Sequence, residues 1–594
     1  MPNFNRLSAA VALILICAQP LQLRAQSPSA QDSSSTAKGS EFDVSLASTS
    51  VKFLETYCQR CHGVDQRYPG LDVLDRATLL DPKVEDEDAF LVPGNAENSR
   101  LWDVIDSEHM PPASQSQPTD EEKAAFRRWI EAGGQFPPEA RVEREYLGES
   151  TILKFIDDDL RKLTREQVAN TRYFSLAHLW NDVSGSDPTT EQDLRLARAG
   201  LSKLLNSLSS MPRIALPRIV DSEYETILAI DIRDYGWDSW HWNQVQAVYP
   251  YALKLNGQTA SRIYEQTGTP VPYVRADWFL AFASRPPLYH LLLEIPKNAK
   301  TLESNLGVDV ARNFASGRLA RAAFQKSGVS QQNRMVERHD APKGGRYYWK
   351  SYDIKPGTAE EGDFSRRPLG PKFDGVLSQQ AVFKHDGGEI IWSLPNGLQG
   401  YMLVTGNDER INEGPPDVVF DPNSHGGSFL ITNGISCMGC HRQGMIAWEK
   451  DEIRSLFEPK QGQKVADKVL QLFPKNGEMQ SLVKADKSFF AAALQQTISP
   501  FLNVGDAKNL SITDFAEPIT KSSNRYLQNV TLEKASQELG LEDPADLRAL
   551  LKLNQFRQLG LSNWTNDDGV VSRDNWEKAY RRLARELGRG TPVY

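Results

Sequence analysis

The chain has 594 residues, a formal net charge of −9 and a hydrophobic fraction of 40%, which is ordinary for a globular protein. A single core does not grow to this length, so several are expected. The mild negative charge and the lack of any Lys/Arg run argue against a nucleic-acid partner, since phosphate binding needs a concentrated basic face.

The N-terminus reads as a signal peptide over residues 1–25: one charge at Arg6, an apolar stretch Ala9–Ala18, and a short segment ending Leu23-Arg24-Ala25. The apolar stretch is too short to span a bilayer, and no transmembrane segment is expected after cleavage. A lipoprotein reading through Cys17 is disfavoured by the bulky Ile16 before it. Residues 26–44, rich in Ser, Ala, Gln and Asp, read as a flexible linker. The expected location is periplasmic or secreted.

Of the five cysteines, Cys17 leaves with the leader and the other four fall in two CxxCH motifs, Cys58-Gln59-Arg60-Cys61-His62 and Cys437-Met438-Gly439-Cys440-His441. Two thiols at this spacing reach both vinyl groups of a haem, and the adjacent imidazole then sits over the iron as proximal ligand. A zinc site built from the four cysteines, or two thiol redox pairs, would not call for a histidine directly after each pair. Two covalent c haems are therefore expected, held by Cys58, Cys61, Cys437 and Cys440, with His62 and His441 as axial ligands.

Around the first motif, Val51, Phe53, Leu54 and Tyr57 form an imperfect helical stripe before Cys58. Thr119-Asp120-Glu121-Glu122 carries a capping-box pattern, and Ala125, Phe126, Trp129 and Ile130 recur at helical spacing before Gly133-Gly134. Two helices flanking one haem motif are the layout of a small cytochrome c domain. The sixth ligand is expected from His109-Met110-Pro111-Pro112. Met110 is the choice, because a thioether favours reduced iron and the prolines stiffen its loop; His109 is the competitor, giving bis-His coordination.

This segment resembles the planctomycete-type cytochrome c domain of exported bacterial proteins. The resemblance rests on the first CxxCH with Gly63, Pro93-Gly94-Asn95-Ala96-Glu97-Asn98-Ser99-Arg100-Leu101-Trp102, Met110-Pro111-Pro112, and Trp129-Ile130-Glu131-Ala132-Gly133-Gly134. It implies an electron-transfer module with the ligand pair His62 and Met110.

In the middle region, Ile152–Leu163 and Leu194–Leu208 read as structural helices and Thr226–Arg233 as a strand. An aromatic cluster comes next, with Tyr235, Trp237, Trp240, Trp242, Tyr249 and Tyr251. It suits a filled core better than a flat-ligand platform or an electron relay. His290, His339 and His385 are candidate distal groups for a haem. Glu389–Leu394, Pro395-Asn396-Gly397 and Leu398–Val404 form a hairpin signal, with a second turn at Gly406-Asn407-Asp408.

Around the second motif, 429–436 reads as a strand and turn and Glu449–Phe457 as a helix. Met445, Met479, His425 and the three distant histidines are the candidate sixth ligands, and no spacing decides among them. Residues 483–497, 531–556 and 574–588 read as helical. Asn566-Asp567-Asp568-Gly569 fits a calcium loop poorly, because Trp564 and Asn575 would stand at its first and twelfth places.

From Arg172 to about residue 580 the chain is also similar to a family of large exported cytochromes of proteobacteria and planctomycetes. The matching stretches are Leu201–Ser209, Asp231–Trp237, Ala283–His290 and Leu394–Tyr401. That resemblance implies one continuous unit containing the second haem, and no substrate.

The expected architecture is multidomain, mostly α with a mixed α+β middle. It comprises an all-α cytochrome c domain (45–140), an aromatic-rich α+β domain (141–395), a second haem-binding region entered by a β-hairpin (396–505) and a helical C-terminal region (506–594). The expected function is electron transfer between redox partner proteins. The alternatives are a di-haem, peroxidase-like oxidoreductase with chemistry at an open second haem, and a haem-bearing protein that binds a ligand through its aromatic region. The sequence names no catalytic residue.

Overall fold

Among the described residues helices outnumber strands. The computed structural model describes residues 44–59, 62, 71, 73–74, 76–80, 89–112, 117–136, 144–183, 188–327, 330–354, 363–371, 381–416, 419–421, 424–447, 451, 453–541, 543–553, 556, 558–565 and 569–593. The expected signal peptide and linker, Cys61 and the Asn566-Asp567-Asp568 segment lie outside these residues. The chain divides into two units, Met1–Val44 and Ser45–Tyr594, and the second holds the cores and the sheets.

Its first module is helical. Helix Val44–Tyr57 buries Phe53 and Leu54 against Phe126, Trp129 and Ile130 of helix Asp120–Glu131. The Phe53 and Phe126 rings stack with centroids 4.5 Å apart. Each such fully buried side chain contributes roughly 1.5–3 kcal/mol of hydrophobic stabilisation. The capping box forms as the sequence predicts: the Thr119 hydroxyl accepts from the Glu122 N–H, and the Glu122 carboxylate accepts from the Thr119 N–H. The same carboxylate accepts the Tyr57 hydroxyl at 2.9 Å, tying the two helices together.

The next region is built on helix Glu191–Ser207, capped by Thr190 and buried on nearly every side. It packs on helices Asn476–Leu502, Pro518–Tyr526 and Ala276–Ala283. Gly200 permits the closest approach, since a Cβ there would come within 2.9 Å of the Pro518 carbonyl. Beside it lies a four-stranded sheet of order β2-β3-β1-β5, from β1 (Thr171–Ser175), β2 (Arg218–Ile219), β3 (Ile227–Asp231) and β5 (Val274–Arg275). Strand β4 (Leu253–Leu255) pairs instead with Gly590–Pro592. Trp237 and Trp242 are buried in this core and only Trp240 is exposed. The open aromatic groove that ligand capture would need is therefore absent from this cluster, whose rings fill a core instead.

A six-stranded antiparallel meander comes next: β6 (Ala320–Ser327), β7 (Ser330–Asp340), β8 (Tyr347–Asp353), β9 (Gly387–Ser393), β10 (Gln399–Thr405) and β11 (Arg410–Ile411). The β9–β10 hairpin forms about Pro395-Asn396-Gly397, so this sheet runs across residue 395. Side chains alternate between faces along each strand. One face carries the rows Arg334–Asp353–Gly387, Trp349–Ile391–Tyr401 and Glu389–Leu403–Ile411. The other carries Met335, Glu337, Tyr348, Tyr352 and Met402, all fully buried.

Two local expectations change. Residues 429–434 form no strand among the described residues beyond one bridge, Glu413 to Thr432. Ile431 turns into a small cluster with Leu403 and Val419, and Gly434, at φ 89, redirects the chain into helix Ile435–Cys440. The 531–556 stretch is two helices, Leu532–Glu538 and Pro544–Leu551. Gly540 at φ 68 comes after the first, and Asp543 with Pro544 caps the second. These helices and Arg573–Glu586 close a core around Trp564 and Trp576.

Candidate functional site

The second CxxCH occupies helix Ile435–Cys440 and the turn after it. Gly434 lets the helix start against its neighbours, since a Cβ there would meet the Ser284 carbonyl at 2.4 Å and the Tyr289 ring at 3.0 Å. Cys437 is buried and Cys440 half-buried, and both are free thiols. Three positions apart on a helix, they fall on one face. His441 stands at the helix end, its N–H donating to the Cys437 carbonyl at 2.8 Å.

The His441 ring is oriented by two contacts. Nδ1 lies 3.3 Å from the Gly444 carbonyl, which can only accept, so the proton belongs on Nδ1 and Nε2 is left as a donor of electrons to a metal. The ring lies over Tyr401 at 6.1 Å between centroids and 29° between planes. Tyr401 is itself fixed, its N–H donating to the Tyr289 hydroxyl at 3.0 Å and its own hydroxyl donating to Gln399.

Between this segment and the sheet lies a cavity of about 290 Å³, which Cys437, Cys440 and His441 line together. That is the lower edge of the size range of cofactor and ligand pockets. Its walls are largely apolar, from Val336, Trp349, Ile391, Leu403, Val419 and Ile431. Exposed Ile446 forms part of the lining, so the cavity reaches the surface. Paired thiols, an oriented imidazole and apolar walls fit a covalently held haem.

Five charged residues interrupt the apolar wall, Arg334, Lys350, Asp353, Asp386 and Glu389, and of these Arg334, Asp353 and Glu389 share one face of the sheet. Arg334 and Asp353 form a two-point ion pair across β7 and β8, Nε to Oδ1 at 2.5 Å and Nη2 to Oδ2 at 3.1 Å. Glu389 Oε2 stands 3.7 Å from His441 Nε2, just beyond hydrogen-bond reach. Burial opposes the charge on Glu389, yet His441 in its protonated form and Arg334 outweigh it and hold the carboxyl below its ordinary value. Burial pushes the Cys437 and Cys440 thiols up, so neither is a thiolate at neutral pH.

The sixth ligands expected from sequence scatter. Met445 lines the cavity. Met479 is packed in the main core. His425 is buried against Gly439, its Nδ1 3.0 Å from Asp421 Oδ1 and 3.8 Å from Cys440 Sγ. Burial opposes its charge, but Asp421 and Cys440 push its pKa up to about 10. His290 accepts the Asn433 amide at 2.6 Å, and burial with Arg410 nearby pushes it down to about 3. His339 is held between Glu337 and Asn313. His385 meets the edge of Tyr352, and burial and Lys350 lower it to about 4. None of these five residues, Met479 and the four histidines, is among the described residues lining the cavity.

At the first motif, Cys58 ends helix Val44–Tyr57 with its N–H on the Leu54 carbonyl. His62 donates its N–H to the Cys58 carbonyl at 2.9 Å and accepts from Val73, and burial pushes its imidazole pKa down. Met110 is half-buried just past helix Arg100–Asp106, its N–H donating to the Val104 carbonyl at 2.7 Å. Gln117 Nε2 donates to the carbonyls of Pro111 and Pro112, each at 3.1 Å, and pins the Met-Pro-Pro loop. Sequence reasoning missed Gln117, Glu389, Arg334 and Asp353. Only Glu389 left a local signal, as a charged residue in the apolar run of β9.

Residues 58–114 match the family model described as Planctomycete cytochrome C, a span from the first CxxCH through Met110-Pro111-Pro112. No curated protein and no solved structure matches the chain. Residues 58–114 are thus a planctomycete-type cytochrome c domain, and covalently bound haem c is its cofactor. No helix of the described residues is long and apolar enough to cross a membrane.

Proposed function

Starting from that cytochrome c domain, we propose that the chain is an exported two-haem c-type cytochrome that moves electrons between redox partner proteins. Cys58 and Cys61 hold the first haem, with His62 and Met110 as axial ligands. Cys437 and Cys440 hold the second, with His441 as proximal ligand. The observation that carries the second site is the cavity that Cys437, Cys440 and His441 line together, with His441 Nδ1 tied to the Gly444 carbonyl.

The haems supply one-electron chemistry. The chain's own part is to bind and orient. The two cysteines fix the edge of each ring, Gly444 and Tyr401 fix the His441 imidazole, and Gln117 holds the loop that carries Met110. The apolar cavity wall limits water at the second site and so favours the less charged, reduced state.

One observation favours a second reading, chemistry at the second iron: the cavity lining holds no histidine besides His441 among the described residues. An iron without a strong distal ligand admits small molecules such as peroxide. Haem stoichiometry by the pyridine haemochrome, with electron paramagnetic resonance of the oxidised protein, tests both readings. Two haems without peroxide turnover support the carrier, and two low-spin irons sink the enzyme reading. A high-spin second iron with peroxide turnover supports the enzyme.

A further inference from the structure

The cavity wall opposite His441 is occupied by a carboxylate. Glu389 sits mid-strand in β9, on the sheet face that turns toward the motif helix, with its neighbours Leu403 and Ile411 in register beside it. Its N–H donates to the Ser351 hydroxyl at 2.8 Å, which fixes the backbone from which the side chain projects. Its Oε2 lies 3.7 Å from His441 Nε2.

A first-row metal held in line between an imidazole nitrogen and a carboxylate oxygen separates them by roughly 4.1 Å, from bonds of about 2.0 and 2.1 Å. The observed gap is shorter by only a few tenths of an ångström, within reach of a small side-chain adjustment. A metal held by His441 Nε2 would therefore come within bonding reach of Glu389, and the carboxylate either coordinates it or turns away.

Turning away is costly, because only about 16% of the side chain is exposed. Arg334 gives Nε and Nη2 to Asp353. The Cys437 thiol donates to the Glu389 carboxylate, and it loses that S–H proton when its thioether bond forms. A buried carboxylate gains from each cationic partner, and ferric iron would add one to Arg334.

We propose that Glu389 is the sixth ligand of the second haem iron, which makes that haem a His/carboxylate site unlike the first. The proposal rests on the two-haem reading above. An oxygen anion is a weak-field ligand, so the second iron should be high-spin when oxidised. It should also exchange Glu389 for stronger small anions.

The test uses the haem-loaded full chain and the variants Glu389→Gln, Glu389→Ala and Glu389→His, with azide as probe. The first haem's low-spin signal reports correct folding in every variant. We expect a high-spin second signal in the parent protein and its conversion to low-spin in Glu389→His. Azide should bind about tenfold more tightly in Glu389→Ala, where no internal ligand competes, and Glu389→Gln should fall between. Two haems per chain with a second signal and azide affinity unmoved by all three changes would overturn the proposal alone. One haem per chain would overturn the two-haem reading and the proposal with it.

Discussion

Gly439 lies under the imidazole of His425 so closely that a Cβ on it would come within 2.4 Å of the ring carbons. The imidazole cannot move aside freely, because Asp421 holds it through both Nδ1 and the backbone N–H of His425. Gly439→Ala therefore overpacks the motif helix and should lower stability by about 1–3 kcal/mol in urea unfolding. The double variant with His425→Ala should recover part of that loss. Strictly additive effects would show that the contact is not tight.

Replacing Cys437 and Cys440 together with Ala should reduce covalent haem from two per chain to one. The pyridine haemochrome measures this directly against protein concentration. Retention of both haems would sink the assignment of the second motif.

Met110→His exchanges a thioether for an imidazole at the first iron. The potential of that haem should fall by on the order of 0.2 V, a fraction of the ~0.8 V range that axial ligands command. Spectroelectrochemical titration reads the shift, and the second haem should keep its potential. An unchanged first potential would mean that Met110 is not the ligand.

Glu538 faces two guanidinium groups inside the C-terminal core, Arg275 at 2.8 Å and Arg573 at 2.9 Å. Burial works against its charge, but Arg275 and Arg573 outweigh it and hold its pKa far below the 4.5 of a free glutamate. A carboxyl depressed on folding adds stability that is fully present above its unfolded pKa. That stability should be lost progressively as pH falls below about 4.5 toward the folded value. Glu538→Gln should cost about 3–5 kcal/mol at neutral pH by taking from buried Arg573 its carboxylate and leaving Arg275 with Asp277 alone, and should flatten the acid slope. Chemical denaturation at several pH values between 3 and 7 would test both the size and the slope. A variant with the parent's acid dependence would refute the role of Glu538.

The sequence by itself determined the parts whose chemistry is local. A CxxCH motif places two thiols and an imidazole within one helical turn, so the motif of the cytochrome c domain and the candidate second site were each legible from five residues. The capping box at Thr119 and Glu122, the stripe along Leu194–Leu208 and the hairpin at Pro395-Asn396-Gly397 were legible for the same reason, since neighbours in sequence make them.

What stands across from His441 was decided only by the tertiary structure. Six strands must pair in register before Glu389, Arg334 and Asp353 share a face, and helix Ile435–Cys440 must pack before that face meets the motif. No periodicity within one segment encodes such an encounter. The run 429–436 misled for the same reason: its β-branched residues suit a strand, but burial of Ile431 beside Val419 and the turn at Gly434 took the chain elsewhere. The histidines proposed from sequence as distal ligands went to hydrogen bonds and ring contacts of their own, because burial of an imidazole is settled by whatever polar partner the folded core supplies.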